Sequence, residues 1–339
     1  MKRVLLYVLK YLLGFGIAGL LIWLSFRKLS AKDITDIREA LLRVRFWLII
    51  PVFGILLLSH WFRARRWKQL IVPLGYHPTV AQLLCSLFIG YLGNQLIPRA
   101  GEIIRCTTVA KTSKVPAEKV IGTMVAERAF DVVCLALITT GTFFIEYKYI
   151  ESYVHDIAAA MRSSLSGGGA GRWWTLLIIV LVISAIVWLV RKARTTGWGK
   201  FLTRVGKGLW EGLSSINKVE NKPLFLLNTV LIWACYILST WIGCFALQET
   251  EHLPVTTAVA MLVFGTFGII IAPGGLGAYP IAIQKTLELY GLSTTIGLAA
   301  GWILWIAQFA FTIVFGLGAY ILINYLKQPL HEKQSVHTA

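Results

Sequence analysis

The strongest constraint on this chain is a succession of apolar stretches close to or beyond the roughly 20 residues that a helix needs to cross a bilayer. Residues 5–26, 46–62, 116–145, 173–190, 223–247 and 295–326 read as full spans. Two more apolar segments, 79–97 and 255–272, stop abruptly at Pro98 and Pro273. Of the 339 residues 57% are hydrophobic and 14% charged, with a mean hydropathy of +0.69. A soluble domain carries about 25% charged residues, so a water-soluble enzyme, a secreted disulfide scaffold and a disordered tail are all excluded. Lys2 and Arg3 precede the first run as in a signal peptide, but the run is too long and no small-x-small cleavage site follows. The expected architecture is an all-α polytopic membrane protein with about six full spans and two broken, re-entrant helix pairs.

The remaining charge is lopsided, with 33 Lys+Arg against 16 Asp+Glu and a net of +17. In a membrane chain this points to basic cytoplasmic loops and anionic lipid rather than to nucleic acid. Residues 191–222 are the most basic stretch, and their apolar positions from Trp198 to Ile216 recur every three to four residues, as in a helix lying in the headgroup plane. This loop is expected in the cytoplasm, with 147–172 and 248–254 outside and both termini inside. The basic segment 27–45, which ends in an amphipathic stretch from Ile37 to Phe46, conflicts with that topology. The five cysteines form no CxxC pair and read as small apolar residues.

The two breaks resemble each other. Gly90-x-x-Gly93-x-x-x-x-Pro98 is matched by Gly265-x-x-Gly268-x-x-x-x-Pro273, and each segment begins after a proline, Pro78 or Pro254. Three spans between them would make the copies inverted, with halves at about 46–146 and 223–326 of one membrane domain, 1–330, followed by a polar tail, 331–339. A helix ending inside the bilayer leaves backbone groups that hydrocarbon cannot satisfy, so such breaks are buried or line a wet cavity. Gly274, Gly275 and Gly277 would let backbone approach a ligand. The plainer reading is that the paired glycines serve helix packing alone.

Charged residues cluster around the first break. Arg99, Glu102 and Arg105 share one face of a helix starting near Pro98, and Glu127, Arg128 and Asp131 lie inside the next span. Ionisable groups in a span are functional candidates by default. Arginines here would bind a phosphate, with carboxylates orienting them or carrying protons; mutual ion pairing that fixes helix register is the other reading. Arg63, Arg65 and Arg66 end the second span and read first as a stop-transfer cluster. His60, a lone histidine near a helix end, says little by itself. No GxxxxGK[ST], HExxH, GxSxG or zinc-finger spacing occurs, so neither ATP hydrolysis nor any cofactor is expected and an enzyme is not the leading reading.

Arg63-Ala64-Arg65-Arg66-Trp67, the run from Asn94 to Arg105, Glu127-Arg128-Ala129-Phe130-Asp131 and Pro273-Gly274-Gly275-Leu276-Gly277 stand in that order. Together they resemble the lysylphosphatidylglycerol synthetase transmembrane-region family, the flippase-like domain of multiple peptide resistance factor proteins, over nearly the whole chain. The resemblance implies an integral inner-membrane protein that moves lipid headgroups between leaflets. In the bifunctional relatives a soluble synthase domain follows the membrane region and makes the aminoacylated lipid; here only a short tail follows. The substrate therefore does not carry over. The chain also departs from the pattern at Pro280, where the family often has an acidic residue that contributes to ion coupling or cation recognition.

The functional expectation is a flippase or transporter, without its own ATPase, for an anionic or glycosylated lipid headgroup. Its binding residues are expected to be Asn94, Arg99, Glu102, Arg105, Glu127, Arg128 and Asp131, with Arg63 and Arg66, and with Gly274, Gly275 and Gly277 opposite. A lipid-synthesising enzyme is an expected partner. The alternative is a non-transporting lipid-binding scaffold for such an enzyme. A membrane-embedded transferase using Glu127 and Asp131 is weaker, since neither a nucleophile nor a nucleotide site accompanies them.

Overall fold

A computed structural model describes residues 30–97, 100–147 and 219–326, with isolated positions at 16, 19–23, 25–27, 151, 184 and 217. The described residues are mostly helical and include no strand. Three helical segments are long and apolar enough to cross a membrane: Phe46–Leu74, Lys222–Cys244 and Thr294–Leu322. The expected spans 5–26 and 173–190, the basic helix of 191–222 and the tail 331–339 lie wholly or largely outside the described residues.

Ser30 starts α1 (Ala31–Leu42) with a reciprocal cap: its hydroxyl accepts from Asp33 N–H, and the Asp33 carboxylate accepts from Ser30 N–H. The helix thus begins earlier than the amphipathic stretch alone suggests, because the cap overrides the start of the apolar pattern. Asp33 also accepts from Thr295 Oγ1 at 3.2 Å, which ties α1 to a later helix.

The remaining helices form two series of four, and three of the four pairs match in length. The first is α2 (Ile49–Ile71), α3 (Val80–Leu96), α4 (Ala100–Ser113) and α5 (Ala117–Ile145). The second is α6 (Lys222–Cys244), α7 (Val255–Ile271), α8 (Ala278–Leu289) and α9 (Thr294–Leu322). α2 and α6 each have 23 residues, α3 and α7 each 17, and α5 and α9 each 29. Both α3 and α7 end on an extended residue, Ile97 or Ala272, whose N–H returns to the second glycine of its pair, Gly93 or Gly268.

The glycine pairs serve the close return of the chain. A Cβ on Gly90 would lie 2.8 Å from Gly101 O and 2.8 Å from Arg105 Cβ; one on Gly268 would lie 2.9 Å from Ala278 O. Only hydrogen at these positions lets α3 pack on α4 and α7 on α8 at this distance. Both breaks are therefore helical hairpins, and the packing reading of the glycines holds.

α2 and α6 run antiparallel. The start of α2 meets the end of α6, where Arg45 N–H donates to Ala246 O. Farther along, Arg63 meets Tyr236, Arg66 meets Thr229 and Gln69 meets Asn228. Since α2 and α6 hold the same place in their series, this opposite direction is what an inverted pair requires.

The second span expected at 46–62 is too short. α2 continues unbroken through the basic run to Ile71, and Ser59, Arg63, Arg66, Trp67 and Leu70 form one buried stripe at helical spacing. The stop-transfer reading fails for Arg63 and Arg66 because both are buried, 7% and 0% exposed; Arg65, off the stripe, is half-buried.

Candidate functional site

The stripe on α2 delivers two guanidinium groups to one carboxylate on α5. Arg63 Nε donates to Glu127 Oε1 at 2.6 Å, and Arg66 Nη2 lies 3.7 Å from the same oxygen. From α4, Arg105 Nη2 donates to Glu127 Oε2. Glu127 is 0% and Arg105 1% exposed. Taken alone, these three arginines and one glutamate carry a formal charge of +2.

Each arginine has a further support. Arg63 Nη1 donates to Tyr236 OH at 3.1 Å, and Arg66 Nη1 to Thr229 Oγ1 at 3.4 Å, both on α6. Arg105 lies with its Cζ 4.2 Å from the centre of the Trp67 ring, and Trp67 Nε1 donates to Thr123 Oγ1 on α5 at 3.0 Å. A cation over an aromatic face is attracted by the ring quadrupole, so Trp67 holds the guanidinium without occupying its donors. Two of those donors, Nε and Nη1, are buried and have no hydrogen-bond partner among the described residues.

The repeat shows what the fold itself asks for at these places. Counted from the first residue of each helix, Arg63 aligns with Tyr236, Arg66 with Ser239, Arg105 with Ile283 and Glu127 with Leu304. Ile283 and Leu304 sit together in an apolar core with Met261, Tyr279 and Leu287. The same architecture is thus closed by hydrocarbon in one half and by an ion cluster in the other. Buried ion clusters gain little stability over well-packed apolar residues, so the architecture does not explain the charges.

The other expected residues fall as follows. Asn94 Oδ1 accepts from Gly101 N–H at 2.8 Å, so this side chain staples the first hairpin across its break. Arg99 lies outside the described residues, and Glu102 is half-buried one turn before Arg105. Arg128 and Asp131 are half-buried and belong to a second compact unit, 128–214, most of which is not described. Gly274, Gly275 and Gly277 all take positive φ, as the tight turn of the second break demands. A Cβ on Gly274 would lie 2.9 Å from Gln95 Oε1, so the tips of the two broken hairpins meet. Pro280 is buried in the first turn of α8, where Gly301 of α9 packs on its backbone.

Trp67, Thr229, Tyr236 and Gln95 were not expected at the site. Trp67 stood inside a quoted motif, and Gln95 adjoined Asn94; nothing in the apolar run of α6 marked Thr229 or Tyr236. His60 is packed among Phe88, Tyr91, Tyr236 and Phe311, one turn before Arg63. Among the described residues no group of His, Cys, Asp and Glu could hold a metal ion.

A family model described as the lysylphosphatidylglycerol synthase TM region matches residues 11–316. The chain belongs to this family. The match spans all four motifs and both broken hairpins of this chain. No curated protein and no solved structure matches the chain.

Proposed function

We propose that this chain carries a lipid with an anionic, phosphate-bearing or glycosylated headgroup between leaflets of the cytoplasmic membrane, without hydrolysing nucleotide and with both termini in the cytoplasm. The observation that carries the reading is Arg105: a buried guanidinium with two donors unpartnered among the described residues, in a place that the repeat fills with isoleucine. An unpaired buried donor is costly, and a headgroup oxyanion supplies the missing acceptors.

The geometry suits capture and release. Glu127 competes with a phosphate for Arg105, yet stays paired through Arg63 when Arg105 turns away. Excess positive charge therefore becomes available without leaving the carboxylate bare. The antiparallel α2–α6 pair gives the two inverted halves a shared seam, and rocking one half against the other about such a seam is how inverted repeats alternate access. Twin hairpins that meet at Gln95 and Gly274 place polar backbone where a headgroup needs an exit from hydrocarbon.

The test is a set of proteoliposomes carrying fluorescent lipids that differ only in headgroup, with outer-leaflet fluorescence bleached chemically. Bleaching beyond the outer-leaflet half for one anionic or glycosylated lipid supports transport. Binding of that lipid without any movement would instead support a scaffold for a lipid-synthesising enzyme.

A further inference from the structure

Beside the arginine cluster, but on the outer side of the same seam, lies an open cleft of about 320 Å³. It is formed where α2 ends and α6 begins. Arg65, Lys68, Gln69 and Asn228 give it a polar wall, and Val72, Pro73, Val80 and Leu224 give it an apolar one. That volume is at the lower end of small-ligand sites, and the split lining matches a molecule with a polar head and an apolar body.

Its formal charge is positive, two basic side chains against one acid. Neither Arg65 nor Lys68 forms an ion pair with a described residue, although Glu220 lines the same cleft. Arg65 rests with its Cζ 4.7 Å from the centre of the Trp61 ring, a contact that uses none of its hydrogen-bond donors. Asn228 Nδ2 donates to Gln69 Oε1 at 3.2 Å and so holds the Gln69 amide in place beside Lys68. Trp61, 37% exposed, is an aromatic of the kind that sits at headgroup level.

From these observations we infer that the cleft is a second lipid site, which binds the phosphate of an anionic phospholipid through Arg65 and Lys68 while its acyl chain lies on Val72, Pro73, Val80 and Leu224. The Lys/Arg-rich stretch that leads into α6 places this end at the cytoplasmic leaflet, where anionic lipids are concentrated. Arg65 and Asn228 are the chain neighbours of Arg66 and Thr229, whose side chains are hydrogen-bonded in the buried cluster. A lipid seated here therefore braces the same α2–α6 seam from outside. The site does not depend on transport and would serve a scaffold equally.

The experiment uses the full chain in nanodiscs of zwitterionic lipid, doped with a phosphatidylglycerol analogue that carries a photoreactive group in its acyl chain. Labelling is expected on peptides covering 69–80 and 219–228. One basic residue near an anionic surface contributes about a fivefold effect, so Arg65→Gln/Lys68→Gln should lower labelling about thirtyfold. The charge-matched Lys119→Gln/Lys285→Gln should leave it unchanged, and Lys68→Gln alone, measured at an unaltered melting temperature, should lower it about fivefold. Equal labelling of the double variant, or equal labelling by a phosphatidylcholine analogue, would overturn the assignment. Displacement by millimolar inorganic phosphate would reassign the cleft to free phosphate and overturn the lipid. Loss of flipping in Arg105 variants has no bearing on any of these outcomes.

Discussion

Glu127 and Arg105 face each other in one ion cluster, yet replacing them should cost very different amounts of stability. Glu127→Gln removes the carboxylate that meets Arg63 at 2.6 Å, Arg66 at 3.7 Å and Arg105. Breaking a buried pair by removing one partner costs about 3–5 kcal/mol, and here three buried guanidinium groups lose their shared counter-charge at once. Arg105→Met keeps the length and much of the volume of the stem while removing the charge. It gives up one charged hydrogen bond but relieves two buried donors that have no partner among the described residues, each a burden of about 1–3 kcal/mol. Gain and loss nearly cancel, so this variant should lie within about 2 kcal/mol of wild type. Thermal unfolding in detergent, followed by tryptophan fluorescence, should show a large fall in midpoint for Glu127→Gln and a small one for Arg105→Met. Equal falls for both would refute the reasoning, because Arg105 would then be structural cement rather than a group held ready for a ligand.

Gly101→Ala should prevent folding, since its Cβ would sit 1.9 Å from Gly90 O, whereas Gly122→Ala meets nothing within 4 Å and should be neutral or gain about 0.5–1 kcal/mol; expression and melting of the two variants check the pair. Asn94→Ala should lose about 1 kcal/mol by unstapling the first hairpin, read as faster amide exchange at Gly101. The Asp33 carboxyl is held below its ordinary value by hydrogen bonds from Ser30 N–H and the Ser30 hydroxyl. Its folded-state value is depressed, so the α1 cap is intact above the ordinary 3.8 and is lost as pH falls through the lower folded value. Helix α1 should therefore keep constant amide protection, taken relative to the intrinsic exchange rate at each pH, from pH 5 to 8 and lose it below about pH 3.8, and a loss at pH 6 would contradict the cap.

Much of the frame could be read from residues alone, because long apolar runs and proline breaks act locally. Val80–Leu96 and Val255–Ile271 fall almost where the runs at 79–97 and 255–272 place them. Length symmetry between α2 and α6, or α5 and α9, was not legible, since most equivalent positions of these helices differ in residue type: Glu127 stands opposite Leu304. Arg63 and Arg66 misled for a physical reason. A basic run closing an apolar span looks the same whether its side chains reach headgroups or turn into the protein, and the buried spacing of 59, 63, 66 and 70 was the available signal. Tyr236 and Thr229 could not be found at all. Their role arises from the antiparallel crossing of α2 and α6, a long-range pairing that leaves no local trace.

The central claim is that Arg105 is held for a headgroup rather than for the fold. It is tested most directly by the initial flipping rate of the best-transported fluorescent lipid in proteoliposomes of wild type and Arg105→Met, at equal protein density and with unfolding midpoints measured on the same preparations. The account predicts that Arg105→Met loses little of its midpoint and falls to the rate of protein-free vesicles. Flipping at the wild-type rate by a folded Arg105→Met protein would contradict it.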